Sequence, residues 1–378
     1  EIRTYNDLKK EKNKIFEFLN EQGFRSTSER LKSNSFISTN NNIITLKKET
    51  EPKYQLINSK QNFEKILQEI EKKGLCAIDT ETNSLNIEKA ALVGISLCCS
   101  ENISYYIPIN HTTADGSKRI EKQLEEKYII SHINKICQNK AILKIGQNIK
   151  YDIRILNKYG VVFNSIADTM LISYSIDNGI YKHNLDDLSF NHLNHNTIKY
   201  KEVVGTGKNE ITFDKVNIDN ALNYAAEDSL LTFKLFQNLY PRLIKEKANF
   251  VYQNIDLPLI DVLSKIEENG IELNKKFLVS LSSEFENESK KLEKKIFKLS
   301  KCEFNIGSPK QLGEILFIDL KLPGGKKTKS GTYSTDSSAL NNLALDGFEI
   351  AQLVLDWREL TKLKSTYTDS LYRLTDNN

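Results

Sequence analysis

Hydrophobic residues form short strand-like runs between residues 75 and 146 and helix-type repeats on either side of them. Four runs predict strands: LCAIDTE (75–81), ALVGISLCCS (91–100), ISYYIPI (103–109) and AILKIG (141–146). The first three follow one another closely, which favours antiparallel pairing, whereas the helical pattern at residues 121–139 favours a crossover to a parallel fourth strand. With a further helix at residues 59–74, the pattern predicts an α/β domain with a mixed sheet.

The remainder of the chain has mainly helical periodicity. Helices are expected at residues 148–160, 166–176, 184–193 and 218–247, and an all-helical region follows Pro258. Residues 1–34 also resemble a helix, and the Asn-, Ser- and Thr-rich stretch 31–54 has the composition of a linker. These shifts predict three parts: 1–50, 51–250 and 251–378.

Composition favours a reduced, cytoplasmic protein but does not indicate its partner. The net charge of +3 is too small to predict a partner. The five cysteines lack metal-site spacing and favour reduced thiols in a cytoplasmic protein. No apolar run approaches the roughly 20 residues that a membrane helix needs, so we expect no membrane partner.

Acidic residues occur in three separate segments where the local pattern does not require them. Asp79 and Glu81 end the first strand two positions apart, so both face one side of it. Asp152 follows the fourth strand near a helix start, and Tyr224 and Asp228 share a helix face four positions apart. Taken singly, these features are typical of a solvated strand edge, a helix-start acid and a core tyrosine.

Together, four carboxylates and a tyrosine on different elements are what two divalent cations require. Hard oxygen ligands with several negative charges suit Mg²⁺ or Mn²⁺. Two such ions can bind the attacking and leaving oxygens of a phosphodiester. Hydrolysis of a nucleic-acid backbone is therefore the leading chemistry.

The three segments also resemble the exonuclease motifs of a known family. AIDTETNSL, GQNIKYDIRIL and NYAAEDSLLTF are similar to the proofreading 3′-to-5′ exonuclease domain of bacterial family A DNA polymerases, the DNA polymerase I family. From residue 254 onwards, NIDLPLIDVLSKIEENGIELN, FNIGSPKQLGEILF and RELTKLKSTYTDSL resemble its thumb, and the first residues resemble the end of its 5′-nuclease domain. The resemblance implies a ribonuclease H-like exonuclease domain followed by a mainly α-helical thumb.

The resemblance also implies roles at the acidic site. Asp79, Glu81 and Asp228 would bind the tighter of two cations, Asp79 would bridge to the second, and Asp152 would hold that second ion through water. Tyr224 would orient the attacking water or hydroxide. All five are therefore predicted to be catalytic.

Further residues are expected to contact DNA. The resemblance places five near the 3′-terminal nucleotide or its sugar-phosphate path: Thr82, Leu85, Gln147, Asn148 and Tyr151. In the thumb, a glycine-rich basic loop and a helix supply groups suited to duplex phosphates: Lys326, Lys327, Arg358, Lys362 and Thr366. Asn191 stands where the family pattern leads us to expect an arginine, and Lys199, Lys201 and Lys208 could replace its charge.

The expected function is removal of nucleotides from single-stranded or frayed DNA 3′ ends, within a polymerase of replication and repair in the bacterial cytoplasm, at the nucleoid. The palm and fingers motifs of the family are missing, so we expect no polymerisation by this chain alone, and a complementing polymerase polypeptide is a possible partner. Two alternatives stay open: an RNA-trimming exonuclease of the ribonuclease D type, and a non-catalytic DNA-binding piece.

Overall fold

The computed structural model describes residues 18–19, 52–328 and 331–375. Apart from residues 18–19, which are helical, the predicted helix at residues 1–34 lies outside the described residues, as does most of the predicted linker. The structure divides into two compact units, Glu1–Asn269 and Gly270–Asn378. Within the described ranges, no helix is both long and apolar enough to cross a membrane.

A six-stranded mixed sheet forms the centre of the first unit, with the strand order β1-β4-β3-β2-β5-β6. The strands are β1 (Lys53–Leu56), β2 (Leu75–Thr82), β3 (Leu92–Cys98), β4 (Ile103–Pro108), β5 (Leu143–Gly146) and β6 (Ile166–Asp168). As predicted, β2, β3 and β4 pair antiparallel, and β5 is parallel to β2. The sequence prediction missed β1 and β6, which are parallel to β4 and β5.

Nine helices are described in the first unit. They are α1 (Lys60–Lys73), α2 (Glu126–Gln138), α3 (Lys150–Asn157), α4 (Thr169–Asp177), α5 (Leu185–Leu188), α6 (Tyr200–Val204), α7 (Ile218–Lys245), α8 (Asn249–Val251) and α9 (Leu257–Asn269). Wider helical turns continue α5 at Ser189–Leu193 and join α8 to α9 at Tyr252–Asp256, and single tight turns occur at Gly207–Asn209 and Phe213–Lys215.

Hydrophobic clusters cover both faces of the sheet. On one face, Ile78 of β2 packs with buried residues of α1, α2 and α3, including Phe63, Ile133 and Leu156. On the other face, Ala77 of β2 packs with residues of α7 such as Phe233. Because side chains alternate along a strand, Asp79 and Glu81 lie on the α7 face and Thr80 lies on the α3 face.

The second unit is helical in its described part. Its helices are α10 (Lys275–Ser300), α11 (Pro309–Glu314), α12 (Ser337–Leu345), α13 (Glu349–Lys362) and α14 (Asp369–Leu374), with wider turns at Ile315–Asp319 and Leu363–Thr368. Its own core includes Ile296, Leu312, Leu340 and Val354. The unit is thus independent of the sheet for its hydrophobic packing.

Helix α9 belongs to the first compact unit, which runs to Asn269. The predicted division of the chain at residue 250 stays a prediction. Ion pairs join α9 to α3 of this unit: Glu267 accepts hydrogen bonds from Lys150 and from Arg154 Nη1, the latter at 2.8 Å. Pro258 thus lies in a helix of the first compact unit.

Candidate metal centre

Strand β2 and helix α7 bring three carboxylates together. Asp79, Glu81 and Asp228 each offer one oxygen, and these oxygens all lie within 4.8 Å of one another. Glu81 is buried, while Asp79 and Asp228 are half-buried. The Oε1 atom of Glu81 is buried and has no hydrogen-bond partner among the described residues. An unpaired buried carboxylate oxygen is costly unless a ligand satisfies it, so the cluster fits a divalent cation.

The electrostatics of the cluster agree with that fit. Burial raises the pKa of the Asp79 carboxyl well above its usual range, and the charge of Asp228 raises it further. Burial, and then the charge of Asp79, likewise raise the pKa of Glu81 well above its usual range. Burial, followed by the neighbouring Glu227, raises the pKa of Asp228 to about 8. These carboxyls therefore bind protons more tightly than free ones do, and a cation that binds here competes with those protons.

Asp152 lies close to this cluster but outside the group of three. Its side chain is 2% exposed in the first turn of α3. Asp152 Oδ1 accepts hydrogen bonds from the Thr80 N–H at 2.9 Å and from the Thr80 hydroxyl at 2.6 Å. Burial and then the charge of Asp79 raise the pKa of Asp152 well above its usual range. The structure therefore brings all four predicted acids to one end of β2.

Tyr224 lies one helical turn before Asp228 on α7. Burial, and then the charge of Asp228, raise the pKa of its phenol. Its ring is in a tilted contact with Phe213 and in an edge contact with Tyr200, with ring centroids 5.9 and 6.1 Å apart. The phenol is therefore held protonated in an aromatic wall beside the carboxylates.

The five residues expected at the terminal nucleotide have different surroundings. Leu85 is 84% exposed beyond the end of β2. The hydroxyls of Thr82 and Tyr151 share a hydrogen bond of 2.5 Å. Asn148 is exposed at the start of α3. Gln147 is already engaged, because its amide donates to His183 O and accepts from the Thr169 hydroxyl. Contact with a nucleotide stays a prediction for each of them.

The residues expected at a duplex lie in the second unit. Lys326, Lys327, Lys362 and Thr366 are exposed. Arg358 is half-buried, and its guanidinium donates to the backbone oxygen of Thr335 at 2.5 Å. Four of the five side chains are thus open to a ligand, and Arg358 also has a structural contact.

Asn191 and Lys199 each contact a neighbouring residue. The Asn191 amide donates to Asp187 O at 2.6 Å, one turn earlier in the chain. The Lys199 ammonium is 2.7 Å from Asp186 Oδ2. Lys199 therefore carries a partner already, and its replacement of a missing arginine stays a prediction.

Three residues without a predicted role hold the site in place. Thr80 was overlooked because alternation puts it on the opposite face from the two acids. Glu227 is buried next to Asp228 and accepts from the Ile198 N–H at 2.7 Å. Asp168 is 1% exposed and accepts from four backbone N–H groups. A signal existed only for Asp168, whose position before an apolar helical run is typical of a helix cap.

Comparison with known proteins agrees with this geometry. A family model described as 3′-5′ exonuclease matches residues 54–244, and one described as DNA polymerase family A matches residues 275–378. The sequence is 42% identical to DNA polymerase I of Rhizobium leguminosarum over 79% of this chain and 31% of the relative. It is 35% identical to DNA polymerase I of Pseudomonas aeruginosa over 85% of this chain and 35% of the relative.

The fold also has a solved counterpart. The POL domain of Pol1 from M. smegmatis, in a complex with DNA primer-template and dNTP, aligns with a TM-score of 0.64 and 21% sequence identity. The alignment covers 85% of this chain and 51% of that one. At this identity the likeness concerns the fold alone.

A mixed sheet with an acidic cluster between its central strand and a long helix places the first unit in the class of ribonuclease H-like 3′-5′ exonuclease domains. More particularly, the chain belongs to the DNA polymerase I family, with that exonuclease domain and a part of the family A polymerase domain. It spans about a third of the length of the curated relatives it matches.

Proposed function

We propose that this chain removes nucleotides one at a time from DNA 3′ ends, as the proofreading exonuclease of a family A DNA polymerase. One observation carries the proposal: oxygens of three carboxylates lie within 4.8 Å of one another. One of these carboxylates, that of Glu81, has a buried oxygen without a hydrogen-bond partner among the described residues. The cluster lies on the unit that matches the 3′-5′ exonuclease family. We assign residues 51–250 to the exonuclease and 251–378 to the thumb.

The cations would be two Mg²⁺ or Mn²⁺ ions, the first held by Asp79, Glu81 and Asp228 and the second by Asp79 and Asp152. When bound, such ions neutralise the phosphodiester and make a water molecule more acidic. The carboxylates of this chain supply the negative charge that holds them, and the half-buried cluster limits competition from solvent.

The other residues would orient the substrate and the attacking water. The Tyr224 phenol, beside Asp228, would position the water so that its oxygen attacks the terminal phosphorus. The bond from phosphorus to the 3′ oxygen of the preceding nucleotide breaks, and that oxygen leaves with a proton. A nucleoside 5′-monophosphate is released. Leu85 would pack on the terminal base without selecting sequence, as single-strand binding requires.

The second unit would bind duplex DNA through the exposed Lys326, Lys327 and Lys362. Phosphate contacts of this kind position a protein on DNA without reading its sequence. In the cell, the exonuclease would serve replication and repair synthesis at the nucleoid in the cytoplasm.

Digestion of 5′-labelled single strands tests the proposed function. With Mg²⁺, the chain should convert a 5′-labelled DNA strand into a ladder that shortens from the 3′ end, and a chelator should stop the reaction. A matched RNA strand should be cut much more slowly. Faster digestion of RNA would favour a ribonuclease D-type exonuclease, and no digestion of either strand with Mg²⁺ or Mn²⁺ would favour a non-catalytic DNA-binding protein.

A further inference from the structure

The backbone N–H of Thr80 lies just past the point where β2 loses its neighbour β5. The parallel ladder between these strands pairs Leu75 with Leu143 and ends where Ala77 pairs with Ile145. Beyond that point, a β2 N–H group that is directed toward the β5 side has no strand carbonyl as a hydrogen-bond acceptor. An unpaired N–H group in a buried position is costly. The Asp152 carboxylate takes the place of the missing strand, because its Oδ1 accepts this N–H at 2.9 Å.

The side chain of Thr80 reinforces the same contact. Thr80 is 6% exposed and lies on the α3 face of the sheet, whereas Asp79 and Glu81 lie on the α7 face. Its hydroxyl donates to the same Asp152 oxygen at 2.6 Å. Two donors from one residue therefore converge on a single carboxylate oxygen.

This arrangement fixes the direction of the Asp152 carboxylate. Hydrogen bonds to an ionised acceptor are stronger than those between neutral groups, and two of them on one oxygen restrict rotation of the carboxylate. Oδ1 is committed to Thr80, so Oδ2 is the oxygen that Thr80 leaves to a ligand. Asp152 is not one of the three acids with mutually close oxygens, which are Asp79, Glu81 and Asp228.

We propose that Thr80 is a positioning residue for the second divalent cation, acting by holding the Asp152 carboxylate in the orientation that this cation needs. The inference deepens the proposed function and rests on its two-cation site. Groups that orient metal ligands in this way typically account for about 10-fold to 100-fold in metal affinity.

Replacement of the hydroxyl tests the inference with the full chain and Mn²⁺ as the probe. Thr80→Val keeps the size, the branched Cβ and the backbone N–H but removes the hydroxyl donor, and Thr80→Ser keeps the hydroxyl. Thr112→Val is the matched control, since the Thr112 hydroxyl bonds a different acid, Asp214, at 3.2 Å. Calorimetric titration gives the number of Mn²⁺ ions and the affinity of each.

Thr80→Ser and Thr112→Val should each bind two Mn²⁺ ions, and the affinity of each site should be similar to that in the wild type. In Thr80→Val, the tighter site should be unchanged and the weaker one should lose about 10-fold to 100-fold in affinity. The Mn²⁺ concentration needed for half-maximal digestion should rise by the same factor, with the rate at saturating Mn²⁺ largely restored. If Thr80→Val does not fold, Thr80→Ala takes its place under the same predictions.

Three results would overturn the inference: wild-type affinity at both sites in Thr80→Val, an equal loss in Thr80→Ser, or a single Mn²⁺ site in the wild type. The proposed function fails separately. If the wild type binds two ions and Thr80→Val weakens one of them, yet no variant digests DNA, then Thr80 has the inferred role and the proposed activity is wrong.

Discussion

Glu81 on β2 lies directly opposite Gly94 on β3 in the antiparallel ladder. The space that a side chain at position 94 would fill is occupied by the phenol of Tyr106, whose oxygen would be 2.1 Å from an added Cβ. Tyr106 is fully buried, and its hydroxyl is 2.7 Å from His111 Nε2. Strand β3, which pairs with the acid-bearing strand β2, is thus packed against a tyrosine that only glycine admits.

Gly94→Ala should therefore destabilise the first unit and displace β2. Overpacking of a filled core costs about 1–3 kcal/mol, and urea unfolding measures it. Gly307→Ala is the control, because the nearest atom to its added Cβ is 3.2 Å away and belongs to the Asn305 side chain. Equal stability of the two variants would show that Tyr106 moves aside at no cost.

Asp168→Asn should destabilise the turn that leads into α3. Asp168 accepts from the N–H groups of Asn148, Ile149, Met170 and Leu171 at 2.8–3.2 Å. An amide would direct its own N–H donors at groups that are also donors, and a buried unsatisfied group costs about 1–3 kcal/mol. Urea unfolding should reveal this loss, with Asp115→Asn in an exposed turn as the control. A loss no greater than that of the control would contradict the capping role.

The metal-free protein should lose stability as the pH rises. Its cluster carboxyls have raised pKa values in the folded state, about 8 for Asp228, against about 4 in the unfolded chain. Such groups bind protons more tightly when folded, so the contribution of Asp228 to stability is complete below about pH 4 and is lost as the pH rises through about 8. Urea unfolding with a chelator at pH 6 and pH 8.5 measures this change.

Two comparisons make the pH prediction specific to the cluster. Saturating Mn²⁺ should stabilise the protein more at pH 8.5 than at pH 6, because the cation displaces fewer protons there. The variant with Glu81→Gln and Asp228→Asn should show a smaller pH dependence without metal. An identical pH dependence in that variant would assign the effect to other groups.

Tyr224→Phe should slow digestion and leave Mn²⁺ binding unchanged. The ring would keep its contacts with Tyr200 and Phe213, and only the phenol oxygen beside Asp228 would be lost. Loss of a group that orients or activates the attacking water costs about 10²-fold in rate. Tyr240→Phe on the same helix is the control, since its ring packs on Phe236. Full activity of Tyr224→Phe would exclude a role for the phenol in the reaction.

The sequence predicted most of the sheet because the pattern of β2 to β5 is local. Close spacing indicated antiparallel pairs, and the intervening helix indicated a parallel one. β1 and β6 escaped detection because they are four and three residues long, too short for any periodicity to appear. Strand Ile166–Asp168 was also included in the predicted helix 166–176, because the apolar pattern begins before the true helix start at Thr169.

The acids of the site could be predicted from the sequence, but the hydrogen bonds that hold the site in place could not. Asp79, Glu81, Asp152 and Asp228 were predicted because four carboxylates and a tyrosine occur together in three segments, and because those segments resemble the family's motifs. The hydrogen bonds of Asp152 with Thr80 and of Asp168 with Asn148 link residues that are 72 and 20 positions apart. No local pattern encodes such pairs, since they depend on how β2, β5 and β6 are ordered in the sheet.

Digestion by Asp79→Ala tests the central claim most directly. Asp79 belongs to the three-acid cluster, and its charge also acts on Asp152, so its loss should affect both proposed cations. With a 5′-labelled DNA strand and Mg²⁺, Asp79→Ala should fold as the wild type does and digest at the rate seen with a chelator, while Asp115→Ala keeps full activity. Wild-type digestion by folded Asp79→Ala would contradict the account.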